Sequence, residues 1–132
     1  MKYLFLDDIR NPEQAILTFT KESLLKKTGT CATDWVVVRN YKDFCDHLKY
    51  VGIPGVISFD HDLGDFAMRE FIEMEAAESN IFNYNSLNGE KTGLDCAKFL
   101  CKICLDKDRK IPTFFVHSFN PVGAQNIINI LQ

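Results

Sequence analysis

The chain of 132 residues lacks the sequence features of membrane and secreted proteins. No apolar run approaches the ~18–20 residues of a membrane span. The apolar stretch 3–6 is interrupted by Asp7 and Asp8, too early for the core of a signal peptide. The five cysteines are an odd number without the dense spacing of a disulfide scaffold, which favours a reducing compartment. We therefore expect a cytoplasmic protein without a membrane partner.

An excess of one charge is also missing. Fifteen Lys and Arg residues stand against 18 Asp and Glu residues, a net charge of −3. This balance argues against a nucleic-acid coat, a polybasic membrane module or a reader of duplex DNA. The chain has no Gly-rich dinucleotide fingerprint, no P-loop and no G-x-S-x-G elbow. Its length and its hydrophobic content of 46% predict one globular domain spanning 1–132.

The chain does contain an alternation of short apolar runs and helical patterns. The runs that predict strands are 3–6, 35–38, 56–59 and 112–116. The segments that predict helices are 12–27, the stretch between Asn40 and Gly52, 93–105, and the stretch that begins at Asn120-Pro121. Strands that alternate with helices predict a layered α/β fold with a parallel sheet and right-handed crossovers.

Residues 65–90 do not fit this alternation. They separate the third strand from the helix at 93–105 and are about twice as long as such a connection needs. Within them, 66–79 is predicted to be helical and 80–89 to be a loop. Two interpretations stay open: the insertion is a lid over a site at the nearby strand end, or it covers the wide apolar helix at 93–105.

Carboxylates follow two of the predicted strands. Asp7 and Asp8 come directly after the first strand, and Asp60 and Asp62 follow the third. Adjacent strands lie about 4.8 Å apart, so these groups can converge at the carboxyl edge of the sheet. Hard oxygen ligands suit Mg²⁺, Ca²⁺ or Mn²⁺. The alternative is that Asp8 and Asp62 are solvated loop residues that cap neighbouring helices.

Other polar residues at the same edge have the chemistry to handle a phosphate. His61 and His117 both follow strands and are candidate acid–base catalysts, although a buried histidine is often structural. Arg10 has the planar fork that clamps phosphate, or it pairs with the nearby acids. Ser118 and Asn120 precede a helix start whose free N–H groups can bind an anion.

Four sequence blocks carry a resemblance to a known family. The blocks are Leu-Phe-Leu-Asp-Asp-Ile-Arg (4–10), Ser-Phe-Asp-His-Asp-Leu-Gly (58–64), Thr-Gly-Leu-Asp (92–95) and His-Ser-Phe-Asn-Pro-Val-Gly (117–123). In this order they resemble the cyclic-phosphate-processing receiver domains of bacteria and their phages, a divergent branch of the response-regulator receivers. In ordinary receivers an acidic pair, a phosphate-accepting Asp and a Ser or Thr surround Mg²⁺. The resemblance assigns these positions to Asp7 with Asp8, to Asp60 and to Ser118.

The resemblance implies a three-layer α/β sandwich of receiver or flavodoxin type with strand order 2-1-3-4 and a helical insertion after strand 3. Three departures from ordinary receivers stand out: a lysine on a fifth strand has no counterpart, the insertion 65–90 is extra, and so are His61 and His117. We expect the fold to be a truncated receiver. The loss of the lysine and the gain of two acid–base candidates favour hydrolysis of a phosphoester over phosphorelay.

We therefore expect a metal-dependent phosphoesterase acting on a phosphorylated small molecule, a nucleotide or an RNA end, for example one with a 2′,3′-cyclic phosphate. Mg²⁺ or Mn²⁺ would be held by acids among Asp7, Asp8, Asp60 and Asp62. His61 and His117, with Asp60, would act in catalysis, while Arg10, Ser118 and Asn120 hold the phosphate. Two alternatives stay open: a non-catalytic module that senses phosphate or docks a partner, and a receiver phosphorylated at Asp60.

Overall fold

The computed structural model describes all 132 residues, from Met1 to Gln132. Four strands form one sheet: β1 (Tyr3–Leu6), β2 (Trp35–Val38), β3 (Val56–Phe59) and β4 (Thr113–Val116). All pairings are parallel, and the spatial order β2-β1-β3-β4 confirms the predicted order. The register aligns the last residues of the four strands, which are Leu6, Val38, Phe59 and Val116. The side chains that follow the strands therefore meet at one edge.

Five helices and three short 3₁₀ turns connect the strands. The helices are α1 (Leu24–Thr28), α2 (Tyr41–Tyr50), α3 (Asp65–Ala76), α4 (Gly93–Asp106) and α5 (Pro121–Leu131), and the 3₁₀ turns span Pro12–Gln14, Ala32–Asp34 and Tyr84–Leu87. Side chains of Asn40, Thr92 and Asn120 accept backbone N–H groups at the starts of α2, α4 and α5. None of the helices has both the length and the apolar character that a membrane crossing requires.

The main core lies between one face of the sheet and helices α2, α4 and α5. The buried sheet residues that face this core are Leu4, Leu6, Val38, Ile57, Phe59 and Val116. Successive side chains of a strand point to opposite faces. The ladder continues for one more residue, because the N–H groups of Asp7, Asp60 and His117 still bond to neighbouring strands. These three residues are therefore turned to the face opposite the main core.

The second face of the sheet carries a thinner layer, and here the predicted helix at 12–27 is wrong. Only the turn Pro12–Gln14 and α1 are helical, and Ile16 forms an antiparallel bridge with Ser23. Thr18 donates its N–H to Val116 O (3.1 Å) and its hydroxyl to Ser118 O (2.7 Å). Residues 16–23 form a turn closed by this bridge, and Thr18 holds the turn against the β4 edge, a long-range contact that outweighs local helix propensity.

The insertion folds around α3, which confirms the predicted helix at 66–79, while the predicted loop at 80–89 contains the turn Tyr84–Leu87. It has a small core of its own, made of Ala67, Met74, Phe82 and Leu87. Glu90 accepts N–H groups of Phe66 and Ala67 at the start of α3. Glu70, which is buried, accepts the N–H of Asn83 and the hydroxyl of Ser86. These two carboxylates fold the insertion back on itself.

Candidate functional site

A cleft of about 210 Å³ lies at the carboxyl edge of the sheet. Its walls come from the ends of β1 and β3, from α3 of the insertion and from the loop after β4. The residues that line it are Asp7, Asp8, Ile9, Arg10, Asp60, Asp62, Met68, Phe71 and Phe119. Four acidic side chains and one guanidinium share this cleft with four apolar side chains.

The side chain of Asp7 accepts more hydrogen bonds than that of any other acid in the site. Its Oδ1 accepts the N–H groups of Ile9 (2.9 Å) and Arg10 (2.8 Å), and its Oδ2 accepts from Arg10 Nε (2.9 Å) and His117 Nε2 (3.1 Å). Burial opposes ionisation of this carboxyl, but the hydrogen bonds from His117 and the two N–H groups outweigh it and lower the pKa of Asp7. Asp7 is therefore a buried, fixed anion.

Asp8 and Asp60 complete a group of three carboxylates with Asp7. One oxygen from each lies within 4.8 Å of the others. Burial, together with the charge of Asp7, raises the pKa of Asp60 to about 8 and also raises the pKa of Asp8. Carboxyls crowded in this way resist losing their protons unless a cation joins them.

The chemistry of this donor set fits a hard divalent cation. Asp7, Asp8 and Asp60 offer carboxylate oxygens, the ligands that Mg²⁺ and Mn²⁺ prefer. Asp62, predicted as a fourth ligand, lines the cleft but lies outside this group. Its Oδ1 contacts His61 Nδ1 (2.6 Å) and Asn120 Nδ2 (3.3 Å), so that oxygen already has two partners.

Arg10 places a guanidinium beside the acids. Besides its bond to Asp7, its Nη2 donates to His117 O (3.1 Å) and lies 3.5 Å from Asp60 Oδ1. Its Nη1 is buried and has no hydrogen-bond partner. The two interpretations from the sequence, ion pair and phosphate clamp, are thus compatible: one side of the fork pairs with acids, and Nη1 stays free for another acceptor.

His117 lies behind Asp7 and outside the cleft lining. The ring is fully buried and stacks on Phe5, with ring centroids 4.5 Å apart. Burial lowers the pKa of His117, so the ring is neutral. Nε2–H then donates to Asp7, and Nδ1 accepts the hydroxyl of Ser58 at 2.7 Å. The ring ties β1, β3 and β4 together and holds the Asp7 carboxylate.

His61 lies on the opposite face, in contact with the insertion. It is also fully buried and outside the cleft lining. Nδ1 contacts Asp62, and Nε2 lies 2.8 Å from the Tyr84 hydroxyl, which accepts from Asn126 Nδ2 (3.0 Å). Burial raises the pKa of Tyr84 to about 12, so its hydroxyl keeps a proton to donate to His61. A Cβ on Gly123 of α5 would overlap the His61 ring.

Ser118 and Asn120 lie in the loop after β4, and both are buried rather than exposed in the cleft. Ser118 Oγ accepts the N–H of Asn120 (3.0 Å), and Asn120 Oδ1 accepts the N–H of Gly123 (3.0 Å). The first turn of α5, predicted as an anion site, is thus capped by Asn120. In this conformation both residues shape the loop that carries Phe119.

Sequence reasoning missed several residues that the structure brings to the site. Ser58 had a signal, since it is the one polar residue in the strand Val56–Phe59. No sequence signal pointed to Tyr84, Asn126 or Phe119, because only the tertiary fold brings these residues to the site. The sequence left two interpretations of the insertion open, a lid over the site and a cover for the helix at 93–105. In the structure the insertion forms one wall of the cleft, through Met68 and Phe71.

A parallel sheet of order β2-β1-β3-β4 with an acidic triplet at its carboxyl edge defines a receiver-like domain. A family model described as the cyclic-phosphate processing receiver domain matches residues 2–132, and the chain belongs to that family. No curated protein and no solved structure matches the chain.

The carboxylate triplet predicts that a divalent cation stabilises the fold. Mg²⁺ or Mn²⁺ at a hundredfold excess over its Kd should add about 2.7 kcal/mol to the free energy of unfolding. Asp7→Asn should reduce this cation-induced rise in melting temperature, because it removes a charged ligand. Asp106→Asn, an exposed acid on α4, is the matched control. An equal rise in wild type and Asp7→Asn would place the cation elsewhere.

The raised pKa of Asp60 predicts a pH dependence of the metal-free protein. An unfolded Asp titrates near ~3.9, so between that pH and about 8 the folded state keeps a proton that the unfolded state has lost, and stability falls as pH rises across this range and levels off above it. His117, with its lowered pKa, acts with the opposite sign and only below about 6.5. Melting in chelator between about pH 6.5 and pH 8 should show stability falling in wild type and a flatter profile in Asp60→Asn. A slope unchanged by Asp60→Asn would contradict the assignment.

Proposed function

We propose that this domain is a metal-dependent phosphoesterase that hydrolyses cyclic or terminal phosphates of nucleotides or RNA ends, such as a 2′,3′-cyclic phosphate. One observation carries the proposal: the carboxylate triplet adjoins a guanidinium whose Nη1 is buried without a partner. A cation at the triplet and Arg10 would together neutralise a phosphate from two sides. Membership of a family described by cyclic-phosphate processing supports the same substrate class.

Each group of the chain has a distinct part in this proposal. Asp7, Asp8 and Asp60 hold the cation, Mg²⁺ or Mn²⁺, which would neutralise phosphate charge and favour ionisation of water. Arg10 Nη1 binds a phosphate oxygen and orients the ester. In the reaction, water adds to phosphorus, one ester P–O bond of the ring breaks, and a proton from water ends on the leaving oxygen. The product is a phosphomonoester.

The histidines act as positioning residues in this proposal. The sequence suggested that His61 and His117 exchange protons with substrate, but both rings are fully buried and outside the cleft lining. His117 reaches the site through its hydrogen bond to Asp7 Oδ2 at 3.1 Å. His61 reaches it through Asp62. Hydrogen-bonded groups behind a metal ligand commonly orient it and tune its basicity.

One observation favours the second candidate, phosphorylation at Asp60. Arg10 Nη2 lies 3.5 Å from Asp60 Oδ1, so a cationic group stands beside the carboxyl at the end of β3. Against it, Asp60 is buried and its Oδ1 already accepts the N–H of His61 at 2.8 Å. A stable adduct at Asp60 with acetyl phosphate or beryllofluoride would support this candidate over hydrolysis.

The test of the proposal is turnover of nucleoside 2′,3′-cyclic phosphates with Mg²⁺ or Mn²⁺, followed by ³¹P NMR. Arg10→Gln should lower kcat/KM by about ten- to a hundredfold, because a hydrogen bond to a charged phosphate is lost. Arg69→Gln, an exposed arginine on α3, is the matched control and should keep wild-type turnover. Tight binding of these cyclic phosphates without turnover, with either cation, would contradict hydrolysis. It would support the alternative of a non-catalytic module that senses phosphate.

The position of His117 makes a separate prediction. If His117 acts through Asp7, then His117→Gln or Ser58→Ala should weaken cation affinity by about 10- to 100-fold, and saturating cation should restore most of kcat. Direct proton transfer would instead cost about 10²- to 10⁴-fold in kcat at saturating cation. His47→Gln is the control. The cation dependence of kcat in each variant decides between the two roles.

A further inference from the structure

The apolar half of the cleft has no part in the phosphate chemistry above. It is formed by Ile9, Met68, Phe71 and Phe119, which come from the loop after β1, from α3 and from the loop after β4. Ile9 is 74% exposed, Phe119 69% and Met68 43%. Large apolar side chains from three separate parts of the chain, grouped in one cleft and left in water, are typical of a ligand-binding surface.

Phe119 is joined directly to the phosphate end of the cleft. The Arg10 guanidinium carbon lies 4.3 Å from the centre of its ring. A cation–π contact of this kind fixes the ring beside the guanidinium. A ligand whose phosphate binds Arg10 therefore has an aromatic surface next to that phosphate. If Phe119 only shielded Arg10 from water, this would account for Phe119. It would not account for the exposed side chains of Ile9 and Met68, which lie on other elements.

The size and chemistry of the cleft restrict what its apolar half binds. Its volume of about 210 Å³ is below the ~300–1,000 Å³ of most small-molecule pockets, so it suits a compact group rather than a long chain. Aromatic rings and guanidinium planes stack well on flat heterocycles. A flat ring joined to a phosphate through a short linker matches both halves of the cleft.

We propose that Phe119, Ile9 and Met68 form a base-binding surface, so that the substrate is a nucleoside phosphate whose base contacts this surface while its phosphate lies at Arg10. The proposal rests on the phosphate site assigned under the proposed function and adds the part that determines specificity. It also gives the insertion a role: α3 supplies the facing wall through Met68.

The experiment compares two cyclic phosphates that differ in the base. With Mn²⁺ present, wild type should hydrolyse adenosine 2′,3′-cyclic phosphate with a kcat/KM about ten- to a hundredfold above that of glycerol 1,2-cyclic phosphate, since stacking on one aromatic ring has about that effect. Phe119→Ala and Met68→Ala should reduce this ratio, and Phe119→Trp should preserve it. Two exposed apolar residues outside the cleft, Phe19→Ala and Ile72→Ala, are the matched controls.

Binding measured without turnover separates this inference from the proposed function. Calorimetry in Mg²⁺ should show adenosine 2′-monophosphate binding more tightly than glycerol phosphate or octyl phosphate, with Phe119→Ala removing the difference. Base-dependent binding without hydrolysis of any substrate would support the base-binding surface and contradict the phosphoesterase. Four results would overturn the inference. In the turnover assay these are an equal kcat/KM for the two cyclic phosphates or a kcat/KM ratio that Phe119→Ala leaves unchanged. In calorimetry they are tighter binding of octyl phosphate than of adenosine 2′-monophosphate, or no binding of any of the three compounds.

Discussion

The geometry of the site depends on the buried carboxylate of Asp7. A buried charge is costly unless it is paired and hydrogen-bonded, and Asp7 accepts four hydrogen bonds, from Ile9, Arg10 and His117. These bonds place Arg10 between Asp60 and Phe119. Among the three carboxyls of the triplet, Asp7 is the one whose pKa the fold lowers. The acidic and basic halves of the proposed phosphate site are thus positioned by one residue.

A second network connects the insertion to the site. His61 contacts Asp62 on one side and Tyr84 on the other, and Tyr84 contacts Asn126 of α5. The insertion is therefore attached to the strand end of β3 and to α5 by hydrogen bonds between buried or half-buried groups. This attachment, with the small core around Met74 and Phe82, holds α3 where its residues form the apolar wall of the cleft.

Much of this arrangement follows from sequence patterns, and the exceptions have physical causes. Short apolar runs and helix caps predicted four parallel strands and the helices that follow β2, β3 and β4, because these depend on local periodicity. The alternation of strand side chains, carried one residue past each strand end, would also have placed Asp7, Asp60 and His117 on one face and His61 on the other. The helix predicted at 12–27 is wrong because the backbone of Thr18 bonds to the β4 edge. The partners of His61 were beyond prediction, since Tyr84 and Asn126 come from distant parts of the chain.

The central claim is that a cation at the carboxylate triplet and Arg10 hold one phosphate between them. The most direct measurement is ³¹P NMR of adenosine 2′-monophosphate bound to the protein, with Mg²⁺ replaced stepwise by paramagnetic Mn²⁺. Our account predicts strong broadening of the phosphate resonance in wild type. The broadening should disappear in Asp7→Asn, which lacks a cation ligand, and in Arg10→Gln, which lacks the guanidinium that holds the phosphate. Bound nucleotide whose phosphate resonance is unaffected by protein-bound Mn²⁺ would contradict the account.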